Sequence, residues 1–94
     1  MLSVTKAEYL NNFSIRLTFN NGKTGVFDFK NIIFKDHRPI FEPLKDKNYF
    51  RKFYLKYDTL VWENELDLAP EYLFFQVFKN NPEYQEMYKK WEYI

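Results

Sequence analysis

The chain has 94 residues, with 14 Lys+Arg against 13 Asp+Glu and no cysteine. That length predicts a single domain over residues 1–94, and a net charge of +1 gives no global attraction to nucleic acid or an anionic membrane. Without cysteine there is no disulfide framework, thiolate nucleophile or thiolate metal site, and no stretch approaches the roughly 20 apolar residues of a membrane span.

Residues Val4 to Leu10 form the first expected strand. In the second, Phe13, Ile15, Leu17 and Phe19 alternate with Ser14, Arg16, Thr18 and Asn20, the period-2 pattern of a strand with one buried face. Asn21-Gly22 then signals a hairpin, and Thr24 to Phe29 returns as the third strand. A plain two-residue turn would set Ile15 opposite Asp28 and bury a carboxylate. A three-residue loop, or a bulge at Gly25, instead sets Leu17 opposite Phe27 and Ile15 opposite Phe29, with Asp28 off the core face.

Asn31 to Phe34 reads as a helical turn, followed by a proline-containing loop from Lys35 to Pro43. Leu44 to Phe50 holds a short helix started by Asp46. Phe53, Leu55 and Tyr57 alternate with Lys52, Tyr54 and Lys56 in a fourth strand. A tight turn at Asp58-Thr59 leads to a short fifth strand ending at Trp62, and the two strands pair as a second hairpin. Pro70 suits the first position of a helix over about 70–79, where Asp67 and Glu71 place negative charge near unpaired amides. Asn81 caps a second helix, with Pro82 at its first position, over about 82–92. There Tyr84, Met87, Tyr88 and Trp91 make one stripe. The expected fold is α+β: a curved antiparallel sheet of about five strands from two hairpins within 3–62, with the C-terminal helices packed on it.

Aromatic residues make 22% of the chain, as 11 Phe, 8 Tyr and 2 Trp. Each ring can bury about 150–250 Å², while a domain this small hides only about 60–65% of its unfolded surface. Some rings are therefore expected to line a surface covered by a protein partner or a second copy. Candidates are Phe74, Phe75, Phe78, Tyr84, Tyr88 and Trp91, which serve either as interface or as a cap on the chain's own sheet.

The near-neutral total hides two charge blocks. Residues 30–56 carry eight Lys/Arg against three acids, a net of +5. Residues 57–78 hold five acids and no Lys or Arg, a net of −5. Cross-strand pairing of Lys52 or Lys56 with Glu63 is the plain structural reading. The alternative is a nucleic-acid surface in which Lys45, Lys47, Arg51, Lys52 and Lys56 meet phosphates while interleaved aromatics stack on bases.

Catalytic chemistry is sparse. His37 is the only histidine, and one histidine cannot make a metal site without distant partners. Ser3 and Ser14 lie in no glycine-flanked elbow, and Gly22 and Gly25 are absorbed by a hairpin. The carboxylates Glu63, Glu65, Asp67 and Glu71 match no calcium-loop spacing. No enzyme activity, cofactor, metal or small-molecule substrate is expected. The Met1-Leu2-Ser3-Val4-Thr5-Lys6 start lacks the apolar run of a signal peptide, and a cytoplasmic protein is expected.

The segments Phe19-Asn20-Asn21-Gly22, Val26-Phe27-Asp28-Phe29 and Phe41-Glu42-Pro43-Leu44 lead to a more specific one: Trp62, then Asp67-Leu68-Ala69-Pro70-Glu71, then Leu73. Together they resemble small bacterial proteins known as domain of unknown function 2442, over roughly residues 4–75. In that pattern Trp62, Asp67, Pro70 and Glu71 are the family motif, and members often carry glycine where Glu65 stands. Some relatives carry a helix-turn-helix domain, which the short final helix here does not match. The resemblance implies a binding protein in toxin–antitoxin-like gene pairs, acting through protein contacts. A nucleic-acid-binding regulator using 45–56 is the alternative.

Overall fold

The computed structural model describes residues 1–94. Strands β1 (Val4–Asn11), β2 (Ser14–Phe19) and β3 (Thr24–Asp28) form an antiparallel sheet in the order β1-β2-β3. The alternation in β2 works as expected, since Phe13, Ile15, Leu17 and Phe19 are all buried. Asp28 is exposed and Phe29 buried, so the core-facing parity is right. The partners are not: Ile15 faces Phe27 and Leu17 faces Gly25.

The turn explains the difference. The loop is three residues, Asn20-Asn21-Gly22, closed by the Phe19 N–H donating to the Lys23 carbonyl at 2.9 Å. Gly22 takes its last, left-handed position (φ 83), which starts the loop one residue earlier than expected and moves the pairing by two. Gly25 forms no bulge. It lies beneath the third helix, where an added Cβ would overlap the Val77 side chain.

The helical turn expected over Asn31 to Phe34 is helix α1 (Lys30–Lys35), one residue longer at each end. A 3-10 stretch over Pro39–Lys45 occupies what the sequence suggested was loop, and it buries Phe41 and Leu44. Asp46 starts α2 (Lys47–Phe50) by accepting the Asn48 N–H at 2.8 Å, as expected. Strands β4 (Tyr54–Lys56) and β5 (Thr59–Val61) pair as a hairpin but form a separate two-stranded sheet. One backbone bond, Val4 N–H to the Asp58 carbonyl at 2.8 Å, ties it to β1. The single five-stranded sheet is thus corrected to three strands plus two, since one bond, made to the turn residue Asp58, does not make a ladder along β1.

Helix α3 (Pro70–Val77) begins with Pro70 in its first turn, but Ala69 is its N-cap and no side chain caps it. Asp67 is not a capping residue: its backbone bridges Val61. The second C-terminal helix splits into a 3-10 turn over Pro82–Tyr84 and α4 (Gln85–Lys90), with the Asn81 side chain accepting the Glu83 N–H at 2.9 Å. Both helices close one apolar core with the sheet. Trp62 holds its middle, its ring 5.9 Å from Phe50 and 6.4 Å from Phe29, and its indole N–H donates to the Phe50 carbonyl at 2.9 Å.

Candidate interaction surface

The turn of the second hairpin is Tyr57-Asp58, not Asp58-Thr59, since Lys56 pairs with Thr59. Both turn residues are left-handed (φ 57 and 64), the geometry that matches the twist of two short strands. It leaves Tyr57 72% exposed, with Tyr54 at 42% and Leu55 at 41%. The fourth strand expected from the alternation of Phe53, Leu55 and Tyr57 is therefore shorter, Tyr54–Lys56, and neither Leu55 nor Tyr57 is buried. Tyr57 lies in the turn, and Leu55 sits on a strand too short to be covered. Of the 21 rings only Phe34, Tyr54 and Tyr57 are exposed, so this hairpin displays two of three. The sequence signal was available but misassigned: the shortest loop before Thr59 uses Tyr57, and a turn residue is a surface residue.

Past β5 the chain folds back sharply. Glu65 donates its N–H to the Trp62 carbonyl, and Trp62 donates to the Leu66 carbonyl, both at 3.0 Å. Glu65 is left-handed here (φ 69). The Asn64 amide donates to the Ile40 carbonyl at 2.8 Å, and its backbone N–H reaches the Tyr49 hydroxyl at 3.1 Å, fixing the turn to the rest of the domain. This brings Glu63, Glu65 and Asp67 into one groove of ≈ 390 Å³ with Tyr54, Lys56, Tyr57 and Val61. No group of three or more acids or histidines converges closely enough to hold a metal ion.

Nor do these acids find cations. The chain's four ion pairs are Arg16–Glu8, Arg38–Asp36, Lys45–Glu42 and Lys89–Glu86. The expected pairing of Lys52 or Lys56 with Glu63 does not form. Glu63 lies beyond the last residue of β5, and the Lys56 ammonium instead sits 5.0 Å from the centre of the Tyr57 ring.

The five basic candidates are spread along α2 and its flanks. Lys45 lies 5.7 Å over Phe34 and pairs with Glu42 at 3.0 Å. Lys47 donates to the Asn12 side-chain oxygen at 3.0 Å and stands over Phe13, while Arg51 stands 5.5 Å over Tyr9. Lys52 is exposed and makes no ion pair. Within 45–56 the aromatics do not form a stacking platform: Phe50 is buried, Tyr49 and Phe53 are half-buried, and only Tyr54 is exposed.

The C-terminal stripe packs inward. Phe74, Phe75 and Tyr88 are buried in this chain's own core, so for them the cap on the sheet is what the fold uses. Phe74 meets Tyr84 at 5.0 Å and Phe75 meets Tyr88 at 4.9 Å, both edge to face. Phe78, Tyr84 and Trp91 are half-buried and retain some outward surface. The Tyr88 hydroxyl donates to the Phe78 carbonyl at 2.9 Å, and burial raises its pKa above the ordinary phenol value.

Of the motif residues, Trp62 is core, Asp67 lines the acidic groove, and Pro70 and Glu71 open α3. Asp67 also lines a second groove with Arg38, Phe41 and Tyr72. Exposed His37 lies in an adjoining groove with Asp36 and Tyr72. The Arg38 side chain grips Asp36 at 2.7 Å, and its hydrogen bonds hold the Asp36 carboxyl below the usual carboxylate range. Burial raises Tyr72. These two shifts are those of a local ion pair and a half-covered phenol.

The family model described as "Protein of unknown function (DUF2442)" matches residues 4–79, and the chain belongs to that family. No curated protein and no solved structure matches it. No helix is long and apolar enough to cross a membrane.

Proposed function

We propose that this member of the DUF2442 family is a non-catalytic binding module that acts through protein contacts made by the β4–β5 hairpin. One observation carries the reading. In a domain that covers nearly all its rings, Tyr54 and Tyr57 stand exposed together on a short hairpin, beside a groove. Tyrosine gives a large rigid contact area with a polar tip, which suits a surface that is wet when free and covered when bound. An antitoxin-like role in the cytoplasm is one form of such binding. The nucleic-acid alternative through 45–56 has less support, since Phe50 is buried, Tyr49 and Phe53 are half-buried, and Lys45, Lys47 and Arg51 stand over rings of the chain itself.

The test is affinity purification of the tagged chain from its own cells beside the Tyr54→Ser/Tyr57→Asn variant. Asparagine tolerates the left-handed backbone at 57, so the fold is kept. A protein retained by the wild type and lost by the variant, at unchanged melting temperature, is expected. Retention unaltered by the variant would overturn the assignment.

A further inference from the structure

We infer that the hairpin face is a two-fold contact between copies of this chain, with the acidic groove of each subunit taking the basic segment of the other. This deepens the protein-binding reading and rests on it. Asp58, Glu63, Glu65 and Asp67 are exposed and take part in none of the chain's four ion pairs. Lys47, Arg51 and Lys52 are exposed and equally without a carboxylate partner. One chain therefore holds an acidic patch, with Lys56 the one cation in its groove, and a basic patch that meets no carboxylate, while its net charge is only +1.

A two-fold contact uses each patch twice, base on acid and acid on base, so one charge arrangement satisfies both halves of the interface. Arg51 and Lys52 immediately precede β4, and Glu63 immediately follows Trp62 at the end of β5. The hairpin with Tyr54 and Tyr57 thus sits between the two patches along the chain. In space Tyr54 and Tyr57 share one groove with Glu63, Glu65 and Asp67, so the exposed rings border the acidic patch directly, as an aromatic centre borders a charged rim in a protein interface. A contact held by exposed charges is sensitive to salt.

Sedimentation velocity on the full chain, at low and high salt, tests this directly. The wild type is expected to dimerise at low salt and dissociate as salt rises. Glu63→Lys/Glu65→Lys and Lys47→Glu/Lys52→Glu are each expected to weaken self-association by about tenfold or more, through like-charge contact. An equimolar mixture of the two variants is expected to dimerise again, because both contacts of the mixed dimer then join opposite charges. All four positions are exposed; the Glu63/Glu65 variant should melt close to wild type, while the Lys47/Lys52 variant gives up the Lys47 bond to the Asn12 side chain and should melt slightly lower. A wild type that stays monomeric at low salt, a dimer indifferent to either variant, or a mixture that stays monomeric would each overturn the proposal. A monomer that still binds a different protein through Tyr54 and Tyr57 would overturn the second copy as occupant and leave the protein-binding reading standing.

Discussion

Replacing Glu65 with glycine is expected to stabilise this fold, and the reason lies in one dihedral angle. Glu65 holds φ 69 in the turn that follows Trp62. An L side chain in that region costs about 1–2 kcal/mol, because Cβ crowds the following carbonyl. Glycine removes the crowding but loses more backbone freedom on folding, which returns about 0.5–1 kcal/mol. The net gain is about 0.5–1 kcal/mol, or about 2–8 °C in melting temperature for a domain of this size. Little else is lost, since the carboxylate is exposed, makes no ion pair, and the N–H bond to the Trp62 carbonyl is kept. Thermal melts of wild type, Glu65→Gly and Glu65→Ala decide it. Alanine removes the same charge but keeps Cβ, so it isolates the backbone effect. A glycine variant melting no higher than the alanine variant would refute the strain argument.

Three further outcomes follow from the packing. Gly25→Ala puts a Cβ into the Val77 side chain and is expected to cost about 1–3 kcal/mol by overpacking β3 against α3, read by urea denaturation. Trp62→Phe strands the buried Phe50 carbonyl that the indole N–H now satisfies at 2.9 Å, and a loss of about 2–3 kcal/mol is expected in the same assay. For pH, the raised phenol of Tyr88 stays protonated in the fold beyond the point where it would ionise in the unfolded chain. Its contribution is therefore fully present below pH 10.0 and lost as pH rises through the folded pKa, so melting temperature should fall on the alkaline side. Tyr88→Phe is expected to shallow that decline, and a slope unchanged by the substitution would count against burial of Tyr88 as its cause.

Much of the fold was legible because its signals are local. The alternation at Phe13–Phe19, the cap at Asn81 and the proline at 70 each act within a few residues and appear where the pattern put them, and the Asn21-Gly22 signal does make a hairpin, with its loop one residue early. Asp28 could be placed on the outer face because parity along a strand is fixed once one neighbour is known to be buried. The absolute register was not so fixed. It depended on which loop position Gly22 occupied, and two loops of equal length differ by two residues of pairing.

The second hairpin marks the limit more sharply. Apolar letters at 53, 55 and 57 predict an inward face, yet an inward face needs something to lie beneath it. Here β4 ends at Lys56, so Tyr57 falls in the turn and Leu55 stays partly open. The same dependence governs the C-terminal stripe, which by itself could dock on a partner or on its own sheet. Phe74, Phe75 and Tyr88 became core because the turn after Trp62 and the space above Gly25 bring α3 down onto β3. Sequence alone determined the α+β class, the first hairpin, the caps and the charge blocks, since turn chemistry, periodicity and ionisation belong to residues and their near neighbours. Only the tertiary structure decided which rings are covered, because burial depends on segments far apart in the chain competing for the same limited core.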